Sequence, residues 1–496
     1  MGLFVKPVLL EGDDLKGKSL AKNSIYNVLY RLLNIVFPLV TSIYIARVLK
    51  AESIGLVAAA QNNAKYFTMV AALGIPTYGV KLIAQYKVKS KESSKAFSEL
   101  FVINGILSLA CSVAYIAFVL LIPYFRAQKT LYFIVGLVIL FNIFNVDWFY
   151  QGIQEYGYIT VRSFIVKILS LVGIILFVHS EKDFYAYAIV STLALVGNYI
   201  FNVIRLRRYI IPVVHNLEFR EHLNHILILF ASSVAVEVYV LADTTMLDLM
   251  CNSTVVGYYT MSMRVIAVIR TMAVAISAVF LPQMSYLYFS GRKEEFLSLV
   301  NKGIHILGAV SIPVAVGFCL IADDAIVLVF GDEFRNSVLT ARILSLSIIT
   351  VAYNNFIGLQ ILVTLGKEKV TTISTICGAI TNVIMNYFLI RAFQHNGAAV
   401  ASATTECVVT LVQIVLSARY IKISYKLKSI VVSCLAMSVG VIVTRIVIAD
   451  WAVLRLVASV IAGGLIYAVS MYIMKDEFVM LIFEKAKCAI KRTPNA

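Results

Sequence analysis

The sequence predicts an all-α polytopic membrane protein with about 14 transmembrane helices, arranged as two pseudo-symmetric six-helix lobes plus two C-terminal helices. Three observations carry that expectation. Of the 496 residues, 60% are hydrophobic and 14% charged, and the mean hydropathy is +0.87, more apolar surface than a water-soluble core of this size hides. Apolar runs of about 20 residues recur along the chain, each able to cross a hydrocarbon core of about 30 Å as a helix, whereas a barrel would show ten-residue alternation. The charge is also sorted: of the 43 Lys and Arg residues, 27 fall in one alternate set of loops, seven in the other and nine inside spans.

A charged tail over residues 1–23, with Lys6, Lys16, Lys18 and Lys22, opens the chain. It has no apolar h-region, which argues against a cleaved signal peptide. Spans follow near 24–49, 54–80, 98–121, 131–151, 158–178 and 184–206, which make a first lobe over 24–206. A basic linker over 207–223 leads to spans near 224–250, 257–281, 303–322, 337–363, 369–390 and 397–418, a second lobe over 224–420. Two peripheral helices near 429–449 and 453–474, within 421–474, precede a basic tail over 475–496. With the basic loops facing the cytoplasm, both termini are cytoplasmic.

The formal charge of +16 is therefore a topology signal, aided by anionic lipid at the inner surface. Basic residues are divided among short loops and form no single face, so the chain is not expected to bind nucleic acid. The seven cysteines show no C-x-x-C pairing and mostly lie in apolar runs, where they read as small core residues.

An internal repeat of about 206 residues appears when punctuation residues are aligned. Pro76 matches Pro282, and Gln151-Gly152-Ile153-Gln154 matches Ile357-Gly358-Leu359-Gln360 at the same offset. Gly55 and Gly257 each open the second span of a lobe. Six spans per repeat is an even number, so the two lobes relate by an axis along the membrane normal, with a central site between them. The outer loops are short, which leaves no room for an extracytoplasmic catalytic domain.

Nine cations lie inside the apolar stretches, with Arg47, Arg205 and Lys369 at span ends counted with the loops: Arg31, Lys65, Arg162, Lys167, Arg264, Arg270, Arg342, Arg445 and Arg455. A cation held in hydrocarbon costs at least about 2.5–3.5 kcal/mol, so each requires a partner or a wet cavity. Those expected to line a cavity are Arg31, Lys65, Lys167, Arg264, Arg270 and Arg342, of which Lys65, Lys167 and Arg270 fall closest to mid-span. The polar stripe Asn27, Arg31, Asn34, Pro38 and Ser42 lies on one helical face, and Gln61, Lys65 and Thr68 form another. Further stripes are Ser233, Glu237, Thr244 and Asp248; Thr371, Thr375, Asn382 and Asn386; and Ser402, Glu406, Thr410 and Gln413. Among the polar groups, Asn34, Gln61, Asn382 and Asn386 are cavity candidates.

For Ser and Thr the plain alternative is helix-to-helix glue worth a fraction of a kcal/mol to about 2 kcal/mol each. The cations also have an alternative, pairing with the intramembrane acids Asp147, Glu237, Asp243, Asp248 and Glu406. Nine cations against five acids leave a positive surplus, which suits an anionic substrate. Glu237, Asp243 and Glu406 are candidates for proton coupling, since desolvation turns a carboxyl group into a titratable relay.

Two motifs are decoys. Residues 12–19 fit G-x-x-x-x-G-K-S, yet no buried strand precedes them and a span begins almost at once, so they read as a tail. His222 and His225, with Glu218 and Glu221, share a helical turn but lack a further ligand, so they read as a solvated interfacial helix, with no metal. No G-x-S-x-G, H-E-x-x-H or triad pattern is present, and neither an enzyme nor a cofactor is expected.

The chain resembles Wzx-type O-antigen and capsular oligosaccharide flippases of the multidrug, oligosaccharidyl-lipid and polysaccharide exporter superfamily. The resemblance rests on Ser19-Leu20-Ala21-Lys22-Asn23, on Ala46-Arg47-Val48-Leu49 leading to Ser53-Ile54-Gly55, on Gly74-Ile75-Pro76, and on Phe330-Gly331-Asp332-Glu333-Phe334. It implies a V-shaped pair of six-helix lobes in the bacterial inner membrane. It also implies an undecaprenyl-pyrophosphate-linked oligosaccharide as substrate, with membrane lipids and other polysaccharide-assembly membrane proteins as partners. Elementary physics agrees, because a pyrophosphate cannot cross hydrocarbon without a substitute for its hydration. Two rivals stay open within the same architecture, a peptidoglycan lipid-precursor flippase and a drug or cation antiporter. The surplus of buried positive charge speaks against the antiporter.

Overall fold

A computed structural model describes residues 20–480 except 422, 423, 425 and 426, with the side chains of 20–25, 31, 228, 231–233, 235 and 236 also left aside. The phosphate-loop-like stretch at 12–19 lies outside the described residues. Every regular element among those described is helical.

In chain order the helices are α1 (Leu20–Ala72), α2 (Ile75–Ile83), α3 (Lys91–Leu121), α4 (Pro123–Arg126), α5 (Lys129–Phe141), α6 (Asp147–Gly152), α7 (Tyr156–Phe177), α8 (Phe184–Leu206) and α9 (Phe219–Met250). They continue as α10 (Ser253–Ala278), α11 (Leu281–Phe289), α12 (Lys293–Phe330), α13 (Ser337–Ser345), α14 (Ser347–Asn355), α15 (Glu368–Ser417), α16 (Lys428–Val447) and α17 (Ala452–Ile473). Among the described residues ten helical stretches are long and apolar enough to cross a membrane.

Two of those runs are double. Lys50 (φ 59°) breaks α1 and Gln394 (φ 50°) breaks α15, each in the left-handed region where a helix cannot continue. Counted as pairs these give twelve stretches among the described residues, and a shorter apolar helix, Lys129–Phe144, lies between Leu121 and Tyr156. The protein is thus an all-α polytopic membrane protein.

The chain divides into two compact units, one of residues up to Thr41 with Leu56–Leu241, the other of Ser42–Gly55 with Ala242–Ala496. Within the first, Phe97, Trp148, Phe149 and Tyr150 form an aromatic core with Leu100 and Ile159. Gly79 is required there, since a Cβ would stand 2.4 Å from the Trp148 ring.

Within the second unit, the Ser42–Gly55 segment of α1 is tied in by Arg47, which donates to the Leu328 carbonyl (2.7 Å), and by Glu333, which accepts from the Ala51 amide (2.9 Å). The helices α16 and α17 pack closely on each other, with Gly440 against Ile466 and Gly463 against Val441, the small-residue contact that lets membrane helices approach. The start of α16 and the end of α17 join α12 through Ala309, Ile430, Cys434, Met471 and Val479.

Of the punctuation residues of the repeat, the prolines mark similar structures and the Gln-Gly segments do not. Pro76 and Pro282 each sit in the first turn of a nine-residue helix, α2 and α11, where a missing N–H costs nothing. The Gln151-Gly152 pair closes α6, whereas Ile357-Gly358-Leu359-Gln360 lies in a π-helical stretch, Phe356–Leu362.

Candidate functional site

In the first unit, the Lys167 ammonium on α7 donates to the Leu33 carbonyl (2.9 Å) and to Asn34 Oδ1 (2.7 Å), with the Phe37 ring 5.6 Å away. Pro38, four residues beyond Asn34, has no N–H to offer the Asn34 carbonyl, which is next to the Leu33 carbonyl that Lys167 binds. Among the described residues no carboxylate pairs with Lys167. Its charge is held by neutral oxygens and a ring, an arrangement that leaves it free to attract an anion. Gln61 donates to Ser191 (3.1 Å), and Lys65 is exposed on the same helix. The Arg31 side chain lies outside those described.

Arg162 behaves differently. It is 5% exposed and gripped by Asp147 (2.8 and 3.3 Å), with Asn198 (3.1 Å) and Asn202 as further acceptors, while Asn202 also donates to Asp147. This is a satisfied internal ion pair, with no donor left to face a ligand.

In the second unit, four donors converge on one buried carboxylate. Asp243 accepts from Asn382 (2.9 Å) and Asn386 (2.6 Å) on one oxygen, and from Tyr259 (2.5 Å) and Ser402 on the other. All five residues are buried, and Asn386 Oδ1 finds no partner among the described residues. One turn beyond Ser402, Glu406 accepts from Asn354 (3.2 Å), and Gln413 joins Asn354 (2.8 Å) to Ser374 (3.3 Å). The stripes on the two halves of α15 therefore meet in a buried polar file. Gln360, in the π-helical stretch, and Gln413 each leave a buried amide oxygen unpartnered among the described residues.

Arg270 donates to Ser347 Oγ (2.9 Å from Nε) and acts as a positive charge on Glu406. Arg264 donates to Ser42. Thr244 and Asp248 follow Asp243 on α9, where Asp248 is buried, whereas Glu237 is exposed and the Ser233 side chain is outside those described.

Arg342, by contrast, belongs to a network at the ends of α12, α13, α16 and α17. Arg445 binds Asp323 (2.6 Å) and Asp324 (3.1 Å), Arg455 grips Asp324 with two bonds (2.5 and 3.0 Å), and Arg342 approaches Asp323 at 3.4 Å. The count of five intramembrane acids thus omits two that matter. The signal was present: Asp323-Asp324 is a paired acid flanked by apolar residues on both sides, one residue beyond the drawn end of a span.

His222 also departs from the solvated helix expected of it. It is 7% exposed, bound to Glu99 (2.8 Å) and to the Tyr78 hydroxyl (2.9 Å), while Glu99 accepts the Glu218 amide (2.7 Å). The early part of α9 is pinned to α2 and α3 by these bonds, and Glu99 was invisible as a partner because it lies 123 residues earlier.

Taken together, the helical units and the charged and amide groups set inside their spans define a polytopic membrane transporter of the exporter type. The chain belongs to the polysaccharide biosynthesis protein family, whose model matches residues 20–288, within the multidrug, oligosaccharidyl-lipid and polysaccharide exporter superfamily. It is 21% identical to a putative O-antigen transporter of Escherichia coli (strain K12) over 79% of this chain and 95% of that one. It is 24% identical to the probable low-salt glycan biosynthesis flippase Agl15 of Haloferax volcanii, over 48% of this chain and 50% of that protein. Its fold is similar to that of the lipid II flippase MurJ in an inward closed conformation, with a TM-score of 0.78 and 14% identity over 92% of this chain and all of that one. An inward-facing multidrug resistance transporter of the MATE family is also similar in fold, with a TM-score of 0.60 and 15% identity over 80% of this chain and 97% of that one.

Proposed function

We propose that the protein is a flippase that moves an undecaprenyl-pyrophosphate-linked oligosaccharide, an O-antigen or related repeat unit, from the cytoplasmic to the periplasmic leaflet of the bacterial inner membrane by alternating access. The observation that carries this reading is Lys167, a cation inside a span whose partners are a carbonyl, an amide oxygen and an aromatic face. An unpaired ammonium at that depth is costly to keep and useful chiefly to a travelling anion. Lys65, Arg264, Arg270 and Arg31 would share the task with it, replacing the hydration that the pyrophosphate loses, and Asn34 and Gln61 would offer hydrogen bonds to the sugars.

The carrier's tail needs a different surface. Between α10, α12, α16 and α17 runs a groove of about 470 Å³ lined by Val310, Pro313, Gly317, Met437, Val441 and Gly463. Its almost wholly apolar lining suits a polyprenyl chain, which gains nothing from polar partners.

Coupling would run through Asp243 and Glu406. Asp243 and Glu406 are both buried and Arg270 acts electrostatically on Glu406, so the three groups together are brought to neutrality by one monovalent cation. A proton is the simplest such cation. The unpartnered Asn386 oxygen beside Asp243 favours a second reading, a sodium-sized ion held by oxygens alone.

Deleting the gene and scoring surface polymers tests the reading. The expected result is loss of one surface glycan with build-up of its lipid-linked repeat unit. An unchanged glycan and lipid-linked pool would remove it, and arrest of peptidoglycan synthesis instead would favour the peptidoglycan-precursor alternative.

A further inference from the structure

We infer that a recess in the second unit, between the end of α12, the start of α13 and the turn within α15, is an oxyanion site that takes a phosphate group. The site lies at the span ends opposite the basic loops. It goes beyond the transport reading and does not need it.

The recess has a volume of about 500 Å³ and is lined by Asp323, Arg335, Arg342, His395 and Asn396, with Val338 and Leu339 on its apolar side. That is room for a phosphate together with part of whatever carries it. Behind it stands the network already described, in which the guanidiniums of Arg342, Arg445 and Arg455 share the carboxylates of Asp323 and Asp324. Three positive charges against two negative ones leave one uncompensated. Arg335, on the rim, is balanced separately by Asp332 (2.7 Å).

Arg342 is the least tightly held of the three, although Asp323 Oδ1, which also lines the recess, faces it. Arg445 and Arg455 each make short, direct bonds to the acids, whereas Arg342 stands 3.4 Å from Asp323, makes no hydrogen bond to it, and has an Nε with no partner among the described residues. It is also the member of the trio that lines the recess, with its side chain 40% exposed. Its Nε is enclosed, so the part of the guanidinium offered to a phosphate is the terminal pair of nitrogens, held to Asp323 by one long contact.

His395 supplies the second half. It is 91% buried, being 9% exposed, and its Nε2 bonds the Asn336 carbonyl (3.2 Å), so that nitrogen carries the proton. Nδ1 is buried and unpartnered among the described residues. It can accept from the hydroxyl of a monoprotonated phosphate or, once protonated, donate to the anion. The backbone enforces this placement: Gln394 takes the left-handed conformation (φ 50°), and a Cβ on Gly397 would lie 2.0 Å from the Leu389 carbonyl oxygen. Asn396 completes the set, since its Oδ1 accepts from Thr340 (2.8 Å) and leaves the NH2 group to donate.

Two sources can bring a phosphate to this face: the head group of an anionic phospholipid, or the diphosphate of a lipid-linked carrier. The experiment uses the full chain purified in neutral detergent and in nanodiscs, with inorganic pyrophosphate as the probe and potassium chloride at matched ionic strength as the control. The measured quantity is the thermal unfolding midpoint. A saturable rise is expected for the natural protein, with half-saturation at least tenfold higher in Arg342→Gln and in His395→Phe and unchanged in Arg391→Gln, which is outside the recess. The use of two recess variants guards against one failing to fold. No saturable rise, or equal half-saturation in all variants, overturns the site.

Nanodiscs of phosphatidylglycerol against phosphatidylcholine then identify the source. Loss of the pyrophosphate response in phosphatidylglycerol alone assigns the site to a lipid head group, and an equal response in both assigns it to a carrier diphosphate. A deletion strain with intact glycans would remove the flippase reading and leave these midpoints untouched, so the two failures are distinct.

Discussion

Gly55 and Gly257 meet backbone to backbone: a Cβ on Gly55 would stand 1.7 Å from the Ser253 carbonyl oxygen, and one on Gly257 would stand 2.0 Å from that of Ala51. Both belong to the second unit, since the middle of α1 is packed there. The two glycines, 202 residues apart and so about one helical turn off the 206-residue register, thus mark a close helix approach within the second unit.

Even a methyl group has no space at that crossing. Gly257→Ala is expected to lower the thermal midpoint and the amount of protein in the membrane, with an overpacking cost of about 1–3 kcal/mol or more because backbone must move. Gly464→Ala, whose Cβ meets nothing within 4 Å, is the matched control and is expected to change neither. Equal abundance and midpoints for the two variants would contradict the close approach.

Lys167 is the sharpest test of anion handling. Lys167→Ala is expected to reduce surface glycan at least tenfold with near-normal protein abundance, and Lys167→Arg to retain part of it, because charge persists while the short bond to Asn34 changes. Lys65→Ala should act likewise. Normal glycan in both alanine variants would count against a cationic path.

Asp243→Asn keeps the volume and removes the charge. Tyr259 and Ser402 can turn, but the Asn382 and Asn386 amides would then face an amide in place of a carboxylate, at a cost of about 1–3 kcal/mol for any donor left unpaired. The expected outcome is loss of transport with a folded protein, and loss of any sodium- or proton-dependent shift in midpoint that the natural protein shows. Retained ion dependence in Asp243→Asn would move the coupling site elsewhere.

How much of this was legible beforehand follows from the range of each interaction. Helix spans, kinked pairs and the equivalent prolines Pro76 and Pro282 are set by local composition, and they could be read directly. The stripe of Asn382 and Asn386 could be read as one face, and so could that of Ser402 and Glu406. That both turn toward Asp243, over 139 and 159 residues, could not, because periodicity gives a face and never its partner. The same limit hid Asp323 and Asp324 behind Arg445 and Arg455, and Glu99 behind His222. Charge counting inside spans therefore overstates the free cations wherever an acid sits just past a drawn boundary.

Arg445 tests that network. Among the described residues it alone pairs with both acids, so Arg445→Ala leaves Asp323 with the distant Arg342 and Asp324 with Arg455. Removing one partner of a well-buried ion pair costs about 3–5 kcal/mol, and less is expected here because Arg445 is 18% exposed. Lower abundance in Arg445→Ala, partly restored by the second change Asp323→Asn, is the expected pattern. No restoration would mean that packing, and not charge balance, sets the loss.

Asp476, beyond the last span, gives a pH test with a definite sign. Burial alone would raise its carboxyl group, but hydrogen bonds from Ser429, His305 and the Phe478 amide outweigh that and hold it below the usual carboxylate range. A carboxylate depressed in the folded state contributes stability that is fully present above its unfolded value of about 3.9 and fades as pH falls through the folded value. The midpoint of the natural protein should therefore exceed that of Asp476→Asn at pH 7, with the gap shrinking only below about pH 4. His305 contacts both carboxylate oxygens (2.9 and 3.0 Å), so His305→Phe should remove part of the same gap. Because Phe478 and Val479 pack on Met471 and Ile430, the loss should appear first where the chain beyond α17 meets α12 and α16. A gap that stayed constant down to pH 3 would show that the carboxylate's charge plays no part in docking this segment.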